Sequence, residues 1–222
     1  MDEIKTAISL GHKALSEFQS KNILSSYGIP VTREALAVTR DDAVAHAEAI
    51  EYPVVLKACS HELMHKSEKD CVKLNLKNKH DVIKAYDIIT NSVDINLEGI
   101  LVQEMISGQR ELVIGFNRDP QFGPCVMLGI GGVMTEIIND TVFRVAPFDH
   151  LEAQDMIDEL RLNKMLGNFR GQLPADRESI SKALMTIGKI GIEIDKISEI
   201  DVNPLIIDRQ GRIKAVDALV VL

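Results

Sequence analysis

The apolar positions of this chain fall into short runs separated by polar turns. Val54-Val55-Leu56-Lys57-Ala58 is a continuous apolar stretch of strand length, interrupted by one lysine. Val72 to Leu76 alternates with a period of two, as a half-buried strand does. Gly99 to Ile106, Glu111 to Asn117, Pro124 to Gly129 and Phe143 to Val145 are further strand-like runs. Ile197 to Ile207 and Ile213 to Leu222 are two more, joined by the hairpin signal Asp208-Arg209-Gln210-Gly211. Pro120 and Gly123 punctuate a second turn, Arg118 to Gly123.

Helical patterns lie between these runs. Ser16 to Tyr27 predicts a helix with Ser16 and Gln19 as a capping box, Phe18, Ile23, Leu24 and Tyr27 as its apolar face, and Gly28 as its stop. Thr39-Arg40-Asp41-Asp42 opens a second helix that runs to about Ile50, where Tyr52-Pro53 breaks it. Lys79 to Asn91, Asp149 to Leu166 and Arg177 to Ile192 are also helical in pattern. The mixed order predicts an α+β protein of two lobes with a cleft between them. The expected small lobe spans residues 30–100, and residues 1–29 and 101–222 form the remainder.

Composition narrows the class. The 222 residues carry a net charge of -8, which argues against a general nucleic-acid binder. There is no Trp, and with six Phe and three Tyr the core must be aliphatic. No apolar run approaches the roughly 20 residues of a membrane span. The charged opening, MDEIKTAISLGHKALSEF, does not read as a secretory signal. Cys59, Cys71 and Cys125 have no metal-like spacing and predict reduced thiols in the cytoplasm.

The candidate chemistry sits at strand ends. Lys57 either points at the α- and β-phosphates of a nucleotide or is a solvated lysine at a strand terminus. Gln103-Glu104-Met105 interrupts an apolar strand, where main-chain groups can pair with an adenine edge, and Glu111 opens the next strand. A strand exposed on one face is the alternative. Gly129-Ile130-Gly131-Gly132 admits close backbone approach but lacks the lysine and hydroxyl residue of a P-loop. Asp201 and Asn203 lie two apart and so share a strand face. The hairpin returns Asp217 beside them, and this oxygen set suits Mg²⁺ once substrate phosphates complete it. His65, followed by Lys66 and Ser67 in a polar loop, is either a phosphoryl acceptor or a solvent-exposed histidine.

Taken in order, these motifs resemble the ATP-grasp β subunit of ADP-forming acyl-CoA (acetyl-CoA) synthetases, relatives of succinyl-CoA synthetase. The resemblance rests on Leu15-Ser-Glu-Phe, Tyr27-Gly-Ile-Pro, Pro53 to Lys57, His65-Lys-Ser, Leu101 to Met105, Arg118 to Pro124, Gly129 to Gly132, Phe143 to Pro147 and Asp201 to Leu205. It implies a single ATP-grasp domain over 1–222, with the phosphohistidine loop on the small lobe and the nucleotide hinge and metal site on the remainder. It implies ATP or ADP as substrate and Mg²⁺ as cofactor. Lys57 matches the phosphate-contacting lysine; Gln103, Glu104, Met105 and Glu111 match the adenosine pocket; Asn203 and Asp217 match the metal ligands. His65 matches the phosphoryl carrier, and Asp201 the acidic residue that steadies it. A CoA-binding α subunit, in an α₂β₂ heterotetramer, is the implied partner.

There is one departure. Where the family has a pair of glycines before a valine, this chain has Asp70-Cys71 before Val72. A charge and a Cβ there oppose a loop folding over phosphates. Two other readings stay open on the sequence: a degenerate ATP-grasp module that binds without catalysis, and a ligase joining a carboxylate to an amine, for which His65 has no role.

Overall fold

The computed structural model describes residues 2–63, 71–108, 110–132, 140–169 and 171–222. The chain divides into two compact units. The first groups the chain up to Gln19 with Thr32–Met105, and the second groups Ser20–Val31 with Ile106–Leu222. The expected lobe boundaries are corrected on two counts. The N-terminal segment belongs with the first unit. The strand that starts at Gly99 belongs there too, because it pairs between two strands of that unit's sheet.

In the first unit, strands β1 (Glu34–Ala37), β2 (Val54–Cys59), β3 (Val72–Leu76) and β4 (Gly99–Glu104) form an antiparallel sheet of order β1-β4-β2-β3. Helices α3 (Arg40–Ile50) and α4 (Lys79–Ser92) cover one face. Alternation along β2 sends Val54, Leu56 and Ala58 into that core with Ala43, Ala47, Val82, Ala85 and Ile89. Local sequence fixes both helix starts. The Thr39 hydroxyl accepts from Asp42 N at 3.1 Å while the Asp42 carboxylate accepts from Thr39 N at 3.0 Å, a full capping box. Asn78 Oδ1 caps α4 through Asp81 N at 3.0 Å. The unit also contains α1 (Asp2–Ser9), and the start of α2 (Glu17–Ser26).

In the second unit, β5 (Arg110–Asp119), β6 (Gly123–Ile130), β7 (Thr141–Val145), β8 (Glu199–Ile207), β9 (Ile213–Ala215) and β10 (Ala218–Val221) form a sheet of order β10-β8-β5-β6-β7, with β9 also on β8. Every pairing is antiparallel. Helices α5 (His150–Glu159) and α6 (Arg177–Glu193) pack on one face. The long helix expected over 149–166 is shorter. Its continuation fails because the buried Asp140 carboxylate accepts from Arg161 N and Leu162 N, both at 2.9 Å, which draws those groups out of the helical ladder. A 3-10 turn over Asn163–Leu166 follows. The turn at 118–123 forms as expected. Asp119 Oδ1 accepts from Gln121 N and Phe122 N, and these bonds hold its pKa below the usual carboxylate range.

Two glycines set how closely α6 approaches the sheet. A Cβ at Gly191 would lie 2.1 Å from Phe116 Cε2, and one at Gly188 would lie 2.9 Å from Ala146 Cβ. Gly191→Ala therefore overpacks a rigid ring and is expected to cost about 2 kcal/mol in urea unfolding. Phe116→Leu in that background should return part of the loss. No recovery would show that the ring is not what the new methyl meets.

Asp176 caps α6 by accepting from Ser179 N and from the Ser179 hydroxyl. The hydroxyl bond is the larger cause of its lowered pKa, followed by the backbone bond. A lowered carboxylate pKa contributes stability above the unfolded value and loses it as pH falls through the folded one. Asp176→Ala should cost about 1 kcal/mol at neutral pH. The gap to the parent should close as the carboxylate protonates, and a gap unchanged at acid pH would refute the assignment.

Candidate functional site: a strand-end oxygen cluster and a buried lysine

The second unit carries the candidate metal site. Strand β8 sets Val202 opposite Ala218 and Leu205 opposite Ala215. Between these paired stretches the ladder is irregular, since β8 shifts register against β5 between Val202 and Leu205, and two bonds close it: Asn203 N donates to Asp217 O at 3.2 Å and Val216 N donates to Pro204 O at 3.0 Å. Residues opposite each other in an antiparallel pair project to the same face. Asn203 and Asp217 are therefore neighbours on one face, and Asp201 shares it two residues earlier. Asn203 is exposed, while Asp201 and Asp217 are half-buried.

The helices cover the opposite face. Phe116 and Val126 meet α6 at its glycines, and Arg144 reaches Glu152 and Glu159 of α5. Register pairs Ile200 with Phe116, Phe116 with Val126 and Val126 with Arg144. The alternate row, Asp201, Gly115, Met127 and Phe143, lies on the side away from these helices. Phe143 and Val145 are exposed there.

Among the described residues, no three His, Cys, Asp or Glu side chains gather into a metal cage. Two carboxylates and an amide are a different set. They suit a hard cation such as Mg²⁺, which keeps waters and takes phosphate oxygens rather than a closed protein shell. The residues therefore fit the group that the resemblance implies.

Glu111 lies on β5 in the same unit, and the glycine turn closes onto it. Gly131 N donates to Glu111 O at 2.7 Å. A Cβ at Gly131 would lie 2.9 Å from Glu111 Cβ, and Gly132, with φ of 77°, would place one 3.3 Å from Glu111 Oε2. The glycines thus serve close approach to Glu111 itself. The neighbouring Arg110 is 1% exposed and donates to the carbonyls of Met165, Gly167, Leu173 and Asp208. Burial lowers its pKa, with Asp208 opposing. It staples the base of β5 to three loop segments.

The first unit carries the other predicted residues. Lys57 is not a solvated strand-end lysine. It lies within β2, its side chain is 6% exposed, and Nζ meets Glu17 Oε1 at 2.7 Å. Gln103 and Glu104 are buried at the end of β4, and Met105 follows it, partly exposed. The Glu104 carboxylate accepts from Arg33 N at 2.8 Å and from Arg33 Nε at 3.3 Å. Glu104 N donates to Arg33 O and Met105 N to Pro53 O. Those two N–H groups are engaged by the chain, so an adenine edge bound there would use other main-chain groups. His65, Lys66, Ser67 and Asp70 lie outside the described residues. Cys71 is described: it is 1% exposed and packs in the apolar core of the first unit. Its Cβ therefore goes into that core, which corrects the expectation that it stands against a phosphate.

Sequence reasoning missed the polar residues of α2. Its buried positions include Glu17, Ser20 and Lys21, whereas Phe18 and Tyr27 are only half-buried. Ser20 Oγ accepts from Val220 N at 3.1 Å, and Lys21 Nζ donates to Val216 O at 3.3 Å, the carbonyl just before Asp217. Residues 17, 20, 21 and 24 share one helical face, and that spacing was the available signal. The capping box at the start of α2 is half made: Ser16 N donates to Gln19 Oε1 at 3.1 Å, while the buried Ser16 hydroxyl has no partner among the described residues.

Comparison with known proteins gives a consistent result. The ATP-grasp domain family matches residues 6–222. The acetate–CoA ligase [ADP-forming] II subunit beta of Pyrococcus furiosus is 36% identical, over 99% of this chain and 96% of that one. A structure of dinucleotide forming acetyl-coenzyme A synthetase 1 from Ca. Korarchaeum cryptofilum, in complex with coenzyme A, Ca-AMPCP and HgCl+, is 45% identical over 100% of this chain and 98% of that chain, with a TM-score of 0.94. Another of the same protein, with coenzyme A and Mg-AMPPCP and its phosphohistidine segment pointing towards the nucleotide binding site, has a TM-score of 0.87 at 43% identity over the same shares. With the family match covering nearly the whole chain, this protein belongs to the ATP-grasp domain family.

Proposed function

We propose that this chain is the nucleotide-binding β subunit of an ADP-forming acyl-CoA synthetase, catalysing acyl-CoA + ADP + phosphate ⇌ carboxylate + CoA + ATP with a partner subunit. The observation that carries the reading is the bond from Asn203 N to Asp217 O at 3.2 Å, which sets those two residues side by side, with Asp201 two residues earlier on β8. The near-complete coverage by an acetate–CoA ligase β subunit supports it.

In this reading His65 accepts a phosphoryl group on a ring nitrogen, supplied from the acyl phosphate formed on a CoA-binding α subunit. A P–N bond forms as the acyl-phosphate P–O bond breaks. A β-phosphate oxygen of ADP then attacks phosphorus, and the P–N bond breaks to regenerate the imidazole. Imidazole suits the role because its neutral form is nucleophilic near pH 7. Asp201 supplies a negative charge that would stabilise a protonated imidazole. Lys57 neutralises nucleotide phosphate charge; Gln103, Glu104 and Met105 in the first unit, and Glu111 in the second, are each assigned to adenosine binding. Asn203 and Asp217 would hold Mg²⁺, which when bound would supply positive charge to offset that of the phosphates. Beyond these, the chain's work is positioning and exclusion of water, the main demands of phosphoryl transfer. The assembly is α₂β₂ and acts in the cytoplasm; among the described residues no helix is long and apolar enough to cross a membrane.

A second reading, a non-catalytic ATP-grasp binding module, draws on Asp70-Cys71. The burial of Cys71 in the core removes half of that support.

Incubation with radiolabelled ATP and Mg²⁺ tests the carrier. The protein should gain an acid-labile, base-stable label, and His65→Ala should abolish it. A label that persists in His65→Ala assigns the carrier elsewhere, and a folded parent that binds nucleotide without labelling favours the binding module.

The metal assignment has its own check. Asn203→Ala and Asp217→Ala should each weaken Mg²⁺-dependent ADP binding at least about tenfold, or ~1.4 kcal/mol, by calorimetric titration. If the parent binds ADP equally with and without Mg²⁺, the site is not a metal site.

A further inference from the structure

Glu17 and Lys57 form an ion pair almost wholly removed from water. Their side chains are 2% and 6% exposed, and Nζ and Oε1 are 2.7 Å apart. Alternation on β2 puts Val54, Leu56 and Ala58 into the core beneath α3 and α4, so Lys57 lies on the other face with Val55 and Cys59. Stability alone does not demand ions there. Apolar residues of similar volume usually pack in such a place at equal or lower cost.

We propose that Glu17 is the positioning residue that keeps Lys57 charged and aimed for nucleotide phosphate. The proposal rests on the reading of Lys57 as the phosphate contact. A buried amine with no counter-charge gives up its proton readily, because burial disfavours the ammonium form. A neutral amine attracts phosphate far less than an ammonium does. The Glu17 carboxylate holds the proton on Lys57 and fixes the direction of Nζ. It does so from the first turn of α2, an element that sequence motifs for nucleotide contact do not include.

Other ionisable groups stand on neighbouring elements. On β4 Glu104 is held by Arg33, and on β1 Glu34 accepts from the Thr32 hydroxyl. Lys73 is on β3 next to β2. Past the end of β2, His61 meets Glu98 at 3.2 Å and stacks on His12. These groups are common to parent and variant, so the difference between the two profiles isolates the pair.

The test is calorimetric titration of Mg²⁺-ADP into the full chain from pH 7 to pH 9, for the parent, Glu17→Gln, Lys57→Met and the double variant. The parent should hold its affinity across this range. Glu17→Gln should lose about tenfold for each pH unit once Lys57 begins to deprotonate. Lys57→Met should bind at least about tenfold more weakly at every pH, with a flat profile. The double variant should match Lys57→Met. Glu17→Asp, which keeps a carboxylate, should move the profile back towards the parent.

A purely structural role for Glu17 would shift the melting temperature and leave the pH profile of affinity flat, and that result overturns the proposal. Parental affinity in a folded Lys57→Met protein would instead overturn the reading of Lys57 on which the proposal stands. Should Glu17→Gln not fold, Glu17→Asp carries the test alone: its shorter carboxylate holds the proton less well, so affinity should fall at a lower pH than in the parent. A profile superposing on the parent's then rejects the idea.

Discussion

The constraint on which the second unit's candidate site depends is the pairing of β8 with β9 and with β10 on either side of Asn203 and Asp217. Leu205 faces Ala215 and Val202 faces Ala218, and between them the main chain stays bonded through Asn203 N and Val216 N. A slip of one residue would flip the side chains of one strand to the other face. Asn203 and Asp217 would then lie on opposite faces, and no cation could use both. The buried core guards against that slip. Ile200, Val202, Ala218 and Val220 are all 3% exposed or less, and a slip would send them to the open face. The apolar residues that give stability are therefore the same ones that hold Asn203 and Asp217 together.

A second layer of organisation comes from α2. Polar and charged residues almost never sit fully buried unless paired. Here Ser20 and Lys21 are buried against the last strands, and Lys21 holds the carbonyl that precedes Asp217. In the first unit Glu17 holds Lys57. Each of these side chains costs desolvation that an apolar helix face would avoid. That cost makes sense where side chains and backbone must be fixed in direction, which apolar packing, being non-directional, does less well.

The parts of the fold that follow from local physics were legible in the sequence. Thr39 to Asp42 specified the start of α3, Asp208 to Gly211 the β8–β9 hairpin, and the apolar–polar pattern the bounds of β3, although its burial does not alternate and Leu74 is exposed. Non-local interactions were not legible. The end of α5 depends on Asp140, some twenty positions earlier in the chain, and nothing in the helical pattern shows it. The same holds for Glu104, whose partner Arg33 lies just before β1, in a segment with no periodic signal. The site divides similarly. The Asp201, Asn203 and Asp217 set follows from strand parity and one hairpin. The burial of Lys57 could not be read, because a single lysine in an apolar run carries no information about which residue meets it.

The Asp70-Cys71 substitution is where resemblance and structure give different weight to the same residues. On sequence grounds two glycines had become a charge and a Cβ, both hostile to a loop that folds over phosphate. The structure separates the two. Cys71 O accepts from Ala58 N at 2.8 Å, and Cys71, 1% exposed, belongs to the same apolar core as Val54, Leu56, Val82 and Ile89. A residue in that setting is selected for filling apolar volume, and its Cβ contributes burial rather than obstruction. The penalty of the departure then falls on Asp70 alone. A single like charge is an electrostatic cost, and its size depends on the cations near it. Under the proposed reading of Lys57 as a phosphate contact, this substitution poses a question of charge balance, for which Glu17 holds Lys57 at 2.7 Å.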